Sequence, residues 1–145
     1  MTTIVYDHKN KQIACDSRLT GGNLIITDSA EKYRANEKGL WFFAGTRADE
    51  NQLMELEHND KPEIKPDANA LLIKEGKCFL VTFNGDYCSV SENEYNHSIG
   101  SGCDFALSAV DLGRTAKEAV EYAITRDTGS GGNVHVYDIE KGKFL

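Results

Sequence analysis

The order of the apolar patterns along the chain is the feature that most restricts its fold. Strand-like runs fill the first two thirds, interrupted by one short helical segment, and two amphipathic helices follow close together before a last strand. Alternating strands and helices would predict a parallel sheet, whereas strands segregated in this way predict antiparallel sheets with helices packed outside. We therefore expect an α+β fold with two antiparallel sheets, formed by residues 1–145 as one domain.

The strand predictions depend on short β-rich runs between turn residues. Residues 2–7 (TTIVYD) and 11–16 (KQIACD) flank His8-Lys9-Asn10, which predicts an antiparallel hairpin. If the turn is centred near Lys9, Thr2 is expected opposite Asp16. A polar loop is predicted around Thr20-Gly21-Gly22. The remaining predicted strands cover residues 24–27, 38–44, 68–74, 77–83, 87–90 and 133–139.

Three helices are predicted from periodicity and capping. Residues 48–57 (ADENQLMELE) give a short helix that ends before the proline-containing breakers of residues 58–67. Residues 105–112 keep the helical period, and Gly113 ends that helix. Residues 115–118 (TAKE) form a capping box for a third helix. Its apolar stripe consists of Ala116, Ala119, Val120, Ala123 and Ile124.

Composition and charge exclude several classes of function. The net charge is −7 and no cluster of lysines and arginines compensates it, so no nucleic acid is expected as a partner. The four cysteines lack C-x-x-C spacing and the four histidines form no ligand pattern, so no metal site is expected. No apolar run could cross a bilayer, and the first residues lack the features of a signal peptide. We therefore expect a cytoplasmic protein that does not contact a membrane.

The segment Arg126 to Gly132 (RDTGSGG) can be interpreted in two ways. Its Asp127-Thr128-Gly129 is the tripeptide that holds the catalytic carboxylate of aspartic proteases, where two such loops meet and share a proton. Here the tripeptide occurs once and follows an amphipathic helix, not an apolar strand, which disfavours that interpretation. The alternative is a helix stop and turn whose glycines supply positive φ.

The N-terminus carries the parts of a nucleophilic site. Once Met1 is removed, Thr2 has a hydroxyl nucleophile and a free α-amine that can act as its base, because the unperturbed amine has a pKa of about 7.7–8.0. A nearby ammonium would lower that pKa further. Lys32 could supply the ammonium if Asp16 pairs with it and holds it beside Thr2.

Two further residues could complete an acyl-transfer site. Gly45 ends an apolar strand and offers a backbone N–H that could stabilise an oxyanion. Ser101 lies in a glycine-flanked turn before a helix, from which its hydroxyl could relay a proton. Each residue alone also has a plain structural interpretation, as a bend or a helix cap, so the combination carries the hypothesis.

Together these segments resemble the proteasome β-subunit family of N-terminal nucleophile hydrolases, and within it the bacterial HslV peptidases. They occur in the family's order and span nearly the whole chain. The matching segments are Thr2-Thr3-Ile4-Val5, Ala14-Cys15-Asp16, Lys32, Phe43-Ala44-Gly45 with Ala48-Asp49, Ile99-Gly100-Ser101-Gly102, and Arg126-Asp127 with Ser130-Gly131-Gly132-Asn133-Val134.

The resemblance implies a four-layer αββα sandwich and a role for each matching position. Thr2 corresponds to the nucleophile and its amine to the base. The other catalytic positions are Asp16, Lys32, Gly45, Ser101, Asp127 and Ser130. Thr20 corresponds to a residue whose backbone aligns an extended peptide substrate, and the primary specificity pocket corresponds to Ala30, Phe43 and Arg47. The resemblance also implies a polypeptide substrate, no required cofactor, self-association into rings, and an ATP-driven unfoldase as a partner.

The chain departs from the family pattern at three places. Thr46 follows Gly45 where a second glycine is common, and Cys15 stands where glycine is usual. Residues 58–67 form only a short connection where the family has a second long helix in one outer layer, so that helix is expected to be missing.

Three functions remain open at this point. The leading one is a threonine endopeptidase that acts through an acyl-enzyme. The second is a small-molecule amidase on the same fold, and the third is a non-catalytic structural or regulatory subunit. The complete set of matching polar residues argues against the third, but a retained Met1 would leave no free threonine amine.

Overall fold

The computed structural model describes all 145 residues, and its first sheet is built around the N-terminal hairpin. Five antiparallel strands form this sheet: β1 (Ile4–Asp7), β2 (Gln12–Cys15), β10 (His97–Ile99), β11 (His135–Asp138) and β12 (Lys143–Phe144). Their spatial order is β10-β1-β2-β11-β12. The N-terminal hairpin therefore lies at the centre of the sheet and is flanked by strands from the C-terminal half of the chain.

The register of the N-terminal hairpin differs from the predicted one by a single residue. Ile4 pairs with Cys15, so Thr3, and not Thr2, lies opposite Asp16. The Asp16 amide donates to the Thr3 carbonyl at 3.1 Å. The reason is the turn, which contains Lys11 at φ 52° as a fourth residue between the paired strands. A shift by one residue moves each side chain to the opposite face, so the register determines which threonine is available to a site.

The second sheet is an antiparallel meander. Its strands are β5 (Tyr33–Asn36), β6 (Gly39–Gly45), β7 (Ala68–Lys74), β8 (Lys77–Asn84) and β9 (Tyr87–Glu92), in that spatial order. The predicted hairpin around Glu75-Gly76 is confirmed, with both residues at positive φ as a two-residue hairpin turn of type I′ requires. Strand β5 was not predicted, because its sequence (YRAN) is short and polar.

Helices cover the outer faces of the two sheets. α2 (Cys103–Asp111) and α3 (Ala116–Ile124) pack against the first sheet, and α1 (Glu50–Glu55), preceded by a 3-10 turn, packs against the second. A third apolar cluster lies between the sheets and includes Ile4, Tyr6 and Phe42. The layers are therefore helix, sheet, sheet and helix, which confirms the predicted α+β sandwich.

The capping box predicted for α3 is confirmed. The Thr115 side chain accepts from the Glu118 amide, and the Glu118 carboxylate accepts from the Thr115 amide, both at 3.1 Å. The helix predicted over residues 48–57 is shorter in the structure, since only residues 50–55 are α-helical.

The outer layer on the second sheet is reduced, as the sequence predicts. Residues 58–67 contain no helix or strand. Leu53 of α1 is fully buried against Trp41 and Phe43 of β6, and this short helix provides the helical cover of that face.

A separate hairpin projects beside the two sheets. It consists of β3 (Leu19–Gly21) and β4 (Leu24–Thr27), so part of the loop predicted around Thr20 is a strand. Leu24, Ile25 and Ile26 are all exposed. The Arg18 guanidinium donates two hydrogen bonds to the Asp28 carboxylate and closes the base of the hairpin.

With nine residues each, the longest helices fall short of what spanning a bilayer requires.

Candidate active site

The hydroxyl of Thr2 lies next to a buried ion pair. Lys32 Nζ donates to Thr2 Oγ1 at 3.1 Å and to Asp16 Oδ1 at 2.8 Å. All three residues are almost completely buried. Thr2 lies two residues before the central hairpin, Asp16 directly follows β2, and Lys32 directly precedes β5, so the contact joins the two sheets.

The Asp16 carboxylate is held in place by four donors. Oδ1 accepts from Lys32 and from the Thr3 amide at 3.0 Å. Oδ2 accepts from the amides of Gly131 at 3.1 Å and Arg18 at 3.2 Å. A buried carboxylate is tolerated when it is paired and hydrogen-bonded in this way. Its fixed orientation determines where the Lys32 ammonium sits.

Burial lowers the pKa of Lys32 below that of an ordinary lysine, because desolvation disfavours the ammonium. The positive charge of Arg47 acts in the same direction. The charge and hydrogen bond of Asp16 oppose the shift but do not cancel it. Lys32 is therefore a cation whose proton is held less tightly than usual, 3.1 Å from the Thr2 hydroxyl.

A second polar network reaches the backbone nitrogen of Thr2. The Thr2 amide donates to Ser101 Oγ at 3.2 Å, and Ser101 Oγ donates to Asp127 Oδ2 at 2.6 Å. Ser130 Oγ donates to the same Asp127 oxygen, also at 2.6 Å. Asp127 therefore connects Ser101 and Ser130, the other two polar positions that the resemblance implies in this segment of the site.

The pKa of the Asp127 carboxyl lies below its ordinary value. Partial burial pulls its pKa upward, but hydrogen bonds from Ser101, Ser130 and the Gly129 amide, together with the N-terminal charge, outweigh burial and hold the pKa below its ordinary value. Both serine hydroxyls donate to this carboxylate. The lone pairs of Ser101 Oγ therefore remain available to accept from the nitrogen of Thr2.

Thr3 is a part of the site that sequence reasoning did not identify. Its amide donates to Asp16, and its hydroxyl lies 2.7 Å from Ser130 Oγ in a fully buried position. Thr3 therefore connects the ion pair to the serine–aspartate network. The correct hairpin register would have revealed it, since that register places Thr3 opposite Asp16.

Gly45 ends strand β6 next to this site. The Phe43 amide donates to the Lys32 carbonyl at 2.9 Å, and amides two residues apart on a strand point to the same side. The Gly45 N–H therefore points past the start of β5, toward the space beside Lys32. Gly45 has φ 107°, and a Cβ there would lie 2.6 Å from the Asp67 carbonyl oxygen. Only glycine fits this close approach.

Met1 lies over the entrance to the site. Its carbonyl oxygen accepts from Lys32 Nζ at 2.8 Å, and its amino group donates to Thr20 Oγ1 at 3.3 Å. Its side chain packs so closely on Gly129 that a Cβ there would lie 2.3 Å from Met1 Cβ. While Met1 is attached, the nitrogen of Thr2 is an amide and cannot act as a base.

The residues expected to bind substrate occupy different surroundings. Thr20 contacts the Met1 amine, and the Ala30 amide donates to the Ser17 carbonyl at 2.9 Å. The exposed Arg47 donates to the Glu31 carbonyl at 3.3 Å. Phe43 differs, because its ring is buried in the outer layer and stacks on Trp41 at a centroid distance of 5.8 Å. The structure therefore does not bring Phe43 to the Thr2 hydroxyl.

No group of three or more histidine, cysteine or acidic side chains could hold a metal ion.

The arrangement of layers and strands defines a proteasome-like N-terminal nucleophile hydrolase fold in a shortened form. A solved structure of BPH from Thiobacillus denitrificans, in complex with epoxomicin, superimposes with a TM-score of 0.69. The match covers 94% of this chain and 97% of that chain, at 16% sequence identity. Identity this low establishes the fold alone. No protein-family model and no curated protein sequence matches the chain.

Proposed function

We propose that the chain is a threonine peptidase that hydrolyses peptide bonds through an acyl-enzyme on Thr2 after removal of Met1. The observation that carries the proposal is the position of Lys32, whose buried Nζ contacts both Thr2 Oγ1 and Asp16. Thr2 would carry both the hydroxyl nucleophile and the free α-amine that acts as its base. The buried ammonium of Lys32 beside that hydroxyl supplies the electrostatic environment that nucleophilic attack requires. The BPH structure of the same fold holds epoxomicin, a proteasome inhibitor.

In the first half of the reaction, the neutral α-amine of Thr2 accepts the hydroxyl proton while Oγ1 attacks the carbonyl carbon of a peptide bond. The carbonyl electron pair moves onto oxygen, and the Gly45 N–H stabilises that charge. When the electron pair returns, the C–N bond breaks, and the amine fragment leaves with the proton from the Thr2 ammonium. An ester between Thr2 and the acyl fragment remains.

In the second half, water attacks the ester carbonyl and gives a proton to the same α-amine. The C–O bond to Thr2 breaks, the proton returns to Oγ1, and a carboxylic acid leaves. Lys32 keeps the α-amine neutral by like-charge repulsion, and Ser101 orients the amine by accepting its N–H. The Asp127 carboxylate fixes the Ser101 hydroxyl for this purpose.

Strand β3 offers an edge for the substrate. It pairs only with β4, so its other edge is open to an extended peptide that adds as a further strand. Thr20 lies on β3 and contacts Met1, which places this edge at the entrance to the site.

We extend the proposal to a homo-oligomeric ring. The family resemblance supports it, as do the exposed side chains of Leu24, Ile25 and Ile26, because contiguous exposed apolar residues mark interaction surfaces. Light-scattering mass in solution tests this part, and a monomeric mass at micromolar concentration would contradict it.

The catalytic assignment is tested by intact mass and covalent labelling of protein purified from its native host. We expect a mass without Met1 and a single adduct with a peptide epoxyketone, which needs a hydroxyl and a free amine on one residue. Thr2→Ala should lose both the adduct and peptide hydrolysis. Thr128→Ala, which removes the hydroxyl of a turn threonine near the site, should keep both.

Three outcomes would contradict the proposal in different ways. Retained Met1 in the native protein would favour a non-catalytic subunit. Hydrolysis of small amides without cleavage of an unfolded polypeptide would favour an amidase. Unchanged hydrolysis by Thr2→Ala would place the chemistry elsewhere.

A further inference from the structure

Strand β4 has one hydrogen-bonding edge without a partner. β3 and β4 form a two-stranded sheet by themselves, and no main-chain group of residues 24–27 is bonded to an element other than β3. A two-stranded hairpin of this length is at best marginally stable in water. A further strand that adds to the open edge of β4 would supply the main-chain bonds that the hairpin lacks.

The side chains of β4 are uncovered as well as its edge. Leu24, Ile25 and Ile26 are 70%, 55% and 61% exposed. Their neighbours across the hairpin are Gly21, which pairs with Leu24, and Thr20, which pairs with Ile25, and both are too small to cover them. Contiguous exposed apolar side chains of this size mark a surface that another chain covers.

No charged side chain guards this edge. Soluble proteins usually protect an edge strand with lysine, proline or a bulge. Residues 19–27 contain no charge and no proline. The only such device is a bulge at Ile26, since Thr20 pairs with Ile25 and Leu19 with Thr27. Arg18 and Asp28, which flank the hairpin, are bonded to each other, so the edge is apolar and neutral.

The charge of the chain favours a second copy as the partner at this edge. Two copies that each carry a net charge of −7 repel one another over most of their surfaces, and a neutral strand is a place where they can meet. A twofold contact requires a surface that is complementary to itself. An uncharged apolar strand meets this requirement, because antiparallel pairing with its own copy brings no like charges opposite each other.

The hairpin turn determines the register of such a pair. Gly21 and Leu24 close the turn and face each other, so the main-chain groups of Ile25, the next residue, point away from β3. Ile25 is also the middle residue of the exposed apolar triplet. Antiparallel pairing about Ile25 places this residue opposite itself, with two N–H···O=C bonds exchanged and the two Cα atoms about 5.5 Å apart.

From these observations we infer that β4 docks a second copy of the chain, whose own β4 pairs with it antiparallel about Ile25 to form one sheet of four strands. The edge of β3 that is offered to a substrate stays free, because it lies on the other side of the hairpin. A twofold contact closes at two copies, so the proposed ring requires a further contact at another surface. The inference does not depend on the chemistry of Thr2.

Cross-linking tests the register. In Ile25→Cys, the predicted pairing brings the two Cα atoms within the range of about 4.4–6.8 Å that a disulfide spans. We expect mild oxidation to join two full chains through position 25. Ile64→Cys is the matched control, since Ile64 is 76% exposed in the connection between α1 and β7 and should give only background cross-linking. Mass mapping of digested samples distinguishes these links from any that involve Cys103.

Ile25→Pro tests the main-chain bonds. Proline removes the N–H that points away from β3, which an edge strand tolerates, so the urea midpoint of the variant should stay close to that of the wild type. We expect light scattering at high protein concentration to show half the wild-type mass. Ile25→Lys should have the same effect by placing like charges opposite each other, whereas Ile64→Lys should leave the mass unchanged.

The outcomes separate this inference from the proposed function. Cross-linking at position 25 no stronger than at position 64, or an unchanged mass in both Ile25→Pro and Ile25→Lys, would overturn the inference alone. Slower peptide hydrolysis in these variants at an unchanged mass would assign β4 to a bound peptide and would also overturn it. Failure of Thr2 to react with a peptide epoxyketone, while cross-linking at position 25 persists, would overturn only the proposed function.

Discussion

Lys32 joins the Asp16 carboxylate to the Thr2 hydroxyl in the candidate site. It is buried, paired with Asp16 and in contact with the Thr2 hydroxyl, yet its pKa lies below the ordinary lysine value because burial outweighs the attraction of Asp16. Between the folded and unfolded pKa values the folded state binds fewer protons at Lys32. This residue's contribution to the free energy of unfolding therefore rises with pH in that window.

The lowered pKa of Lys32 predicts an alkaline limit to activity. If the ammonium is required, kcat/KM should fall as pH rises through the folded pKa, which is below the ordinary value of about 10.4. The measurement is a pH profile for a neutral peptide substrate, with Lys74→Met as a control that removes an exposed lysine. If kcat/KM does not fall before the pH reaches the ordinary lysine pKa, the Lys32 ammonium is not required.

Thr3→Val tests the connection between the two networks. Valine keeps the branched shape but removes the hydroxyl that lies 2.7 Å from Ser130 Oγ in a buried position. We expect the free energy of unfolding to fall by about 1–2 kcal/mol, because Ser130 loses a buried partner. Labelling of Thr2 by an epoxyketone should also slow down.

Urea unfolding and labelling rates measure these two effects of Thr3→Val. Thr82→Val, a similar change on strand β8 without a side-chain hydrogen bond, should alter neither quantity appreciably. If Thr3→Val and Thr82→Val have the same free energy of unfolding and the same rate of Thr2 labelling, the Thr3 hydroxyl does not support the site.

At the scale of single residues, the sequence predicted most of the candidate site but not its connections. The structure brings Asp16, Lys32 and Ser101, which the motifs singled out, together around Thr2. The motifs did not predict where the Phe43 ring lies. Side chains alternate between the two faces of β6, so the Phe43 ring lies on the same face as Trp41 and packs against α1. A motif identifies a position in the chain, whereas the pleat of the strand determines which face its side chain occupies.

At the scale of elements, the loop between β10 and α2 determines how Ser101 approaches Thr2. Gly100 has φ 95°, and a Cβ there would lie 2.1 Å from the Thr2 carbonyl oxygen. The Gly102 amide donates to that same oxygen at 3.1 Å. The glycines on both sides of Ser101 therefore let this loop lie directly against the N-terminal segment.

Gly100→Ala should disrupt this approach. We expect a loss of about 3 kcal/mol in the free energy of unfolding, from the positive φ and the backbone clash together, and loss of Thr2 labelling. Gly85→Ala is the matched control, since Gly85 also has positive φ (64°) but nothing lies near its Cβ position. Thermal or urea unfolding measures the loss in the free energy of unfolding for both variants. A cost for Gly100→Ala no larger than that of the control would contradict the close contact.

The elements themselves were predicted where a single local signal determines them. The capping box of α3 and the Glu75-Gly76 hairpin depend on neighbouring residues and were predicted correctly. Strand β5 was missed because it is short and polar, and β10 was missed because it has only three residues and pairs with a strand distant in sequence. The hairpin register was wrong because Lys11 adopts a left-handed conformation that its side chain does not signal.

At the scale of the whole molecule, the layer between the sheets contains two cysteines whose reactivity shows whether the two sheets stay packed together. Cys15 of the first sheet and Cys78 of the second are fully buried in this layer. Burial raises the pKa of both thiols to about 12. Thiolates are the reactive species, so both cysteines should be inert while the sheets stay together.

We expect iodoacetamide at pH 8 to modify Cys103 in the native protein and to modify Cys15 and Cys78 only after global unfolding. Because both lie in one layer, their modification should follow the same dependence on urea concentration. Mass spectrometry of digested samples gives the three extents separately. Modification of Cys78 well before Cys15 would show that the second sheet opens independently of the first.

The Asp16 carboxylate, which accepts from Lys32, Thr3 and Gly131, has a consequence for a chain during its synthesis. Gly131 lies 115 residues after Asp16, and Asp127 and Ser130 come from the same late segment. Until that segment has left the ribosome and docked, neither the carboxylate nor the threonine beside it is held in place. If Thr2 acts as proposed, a nascent chain therefore carries an unassembled nucleophile until residues 127–131 have docked.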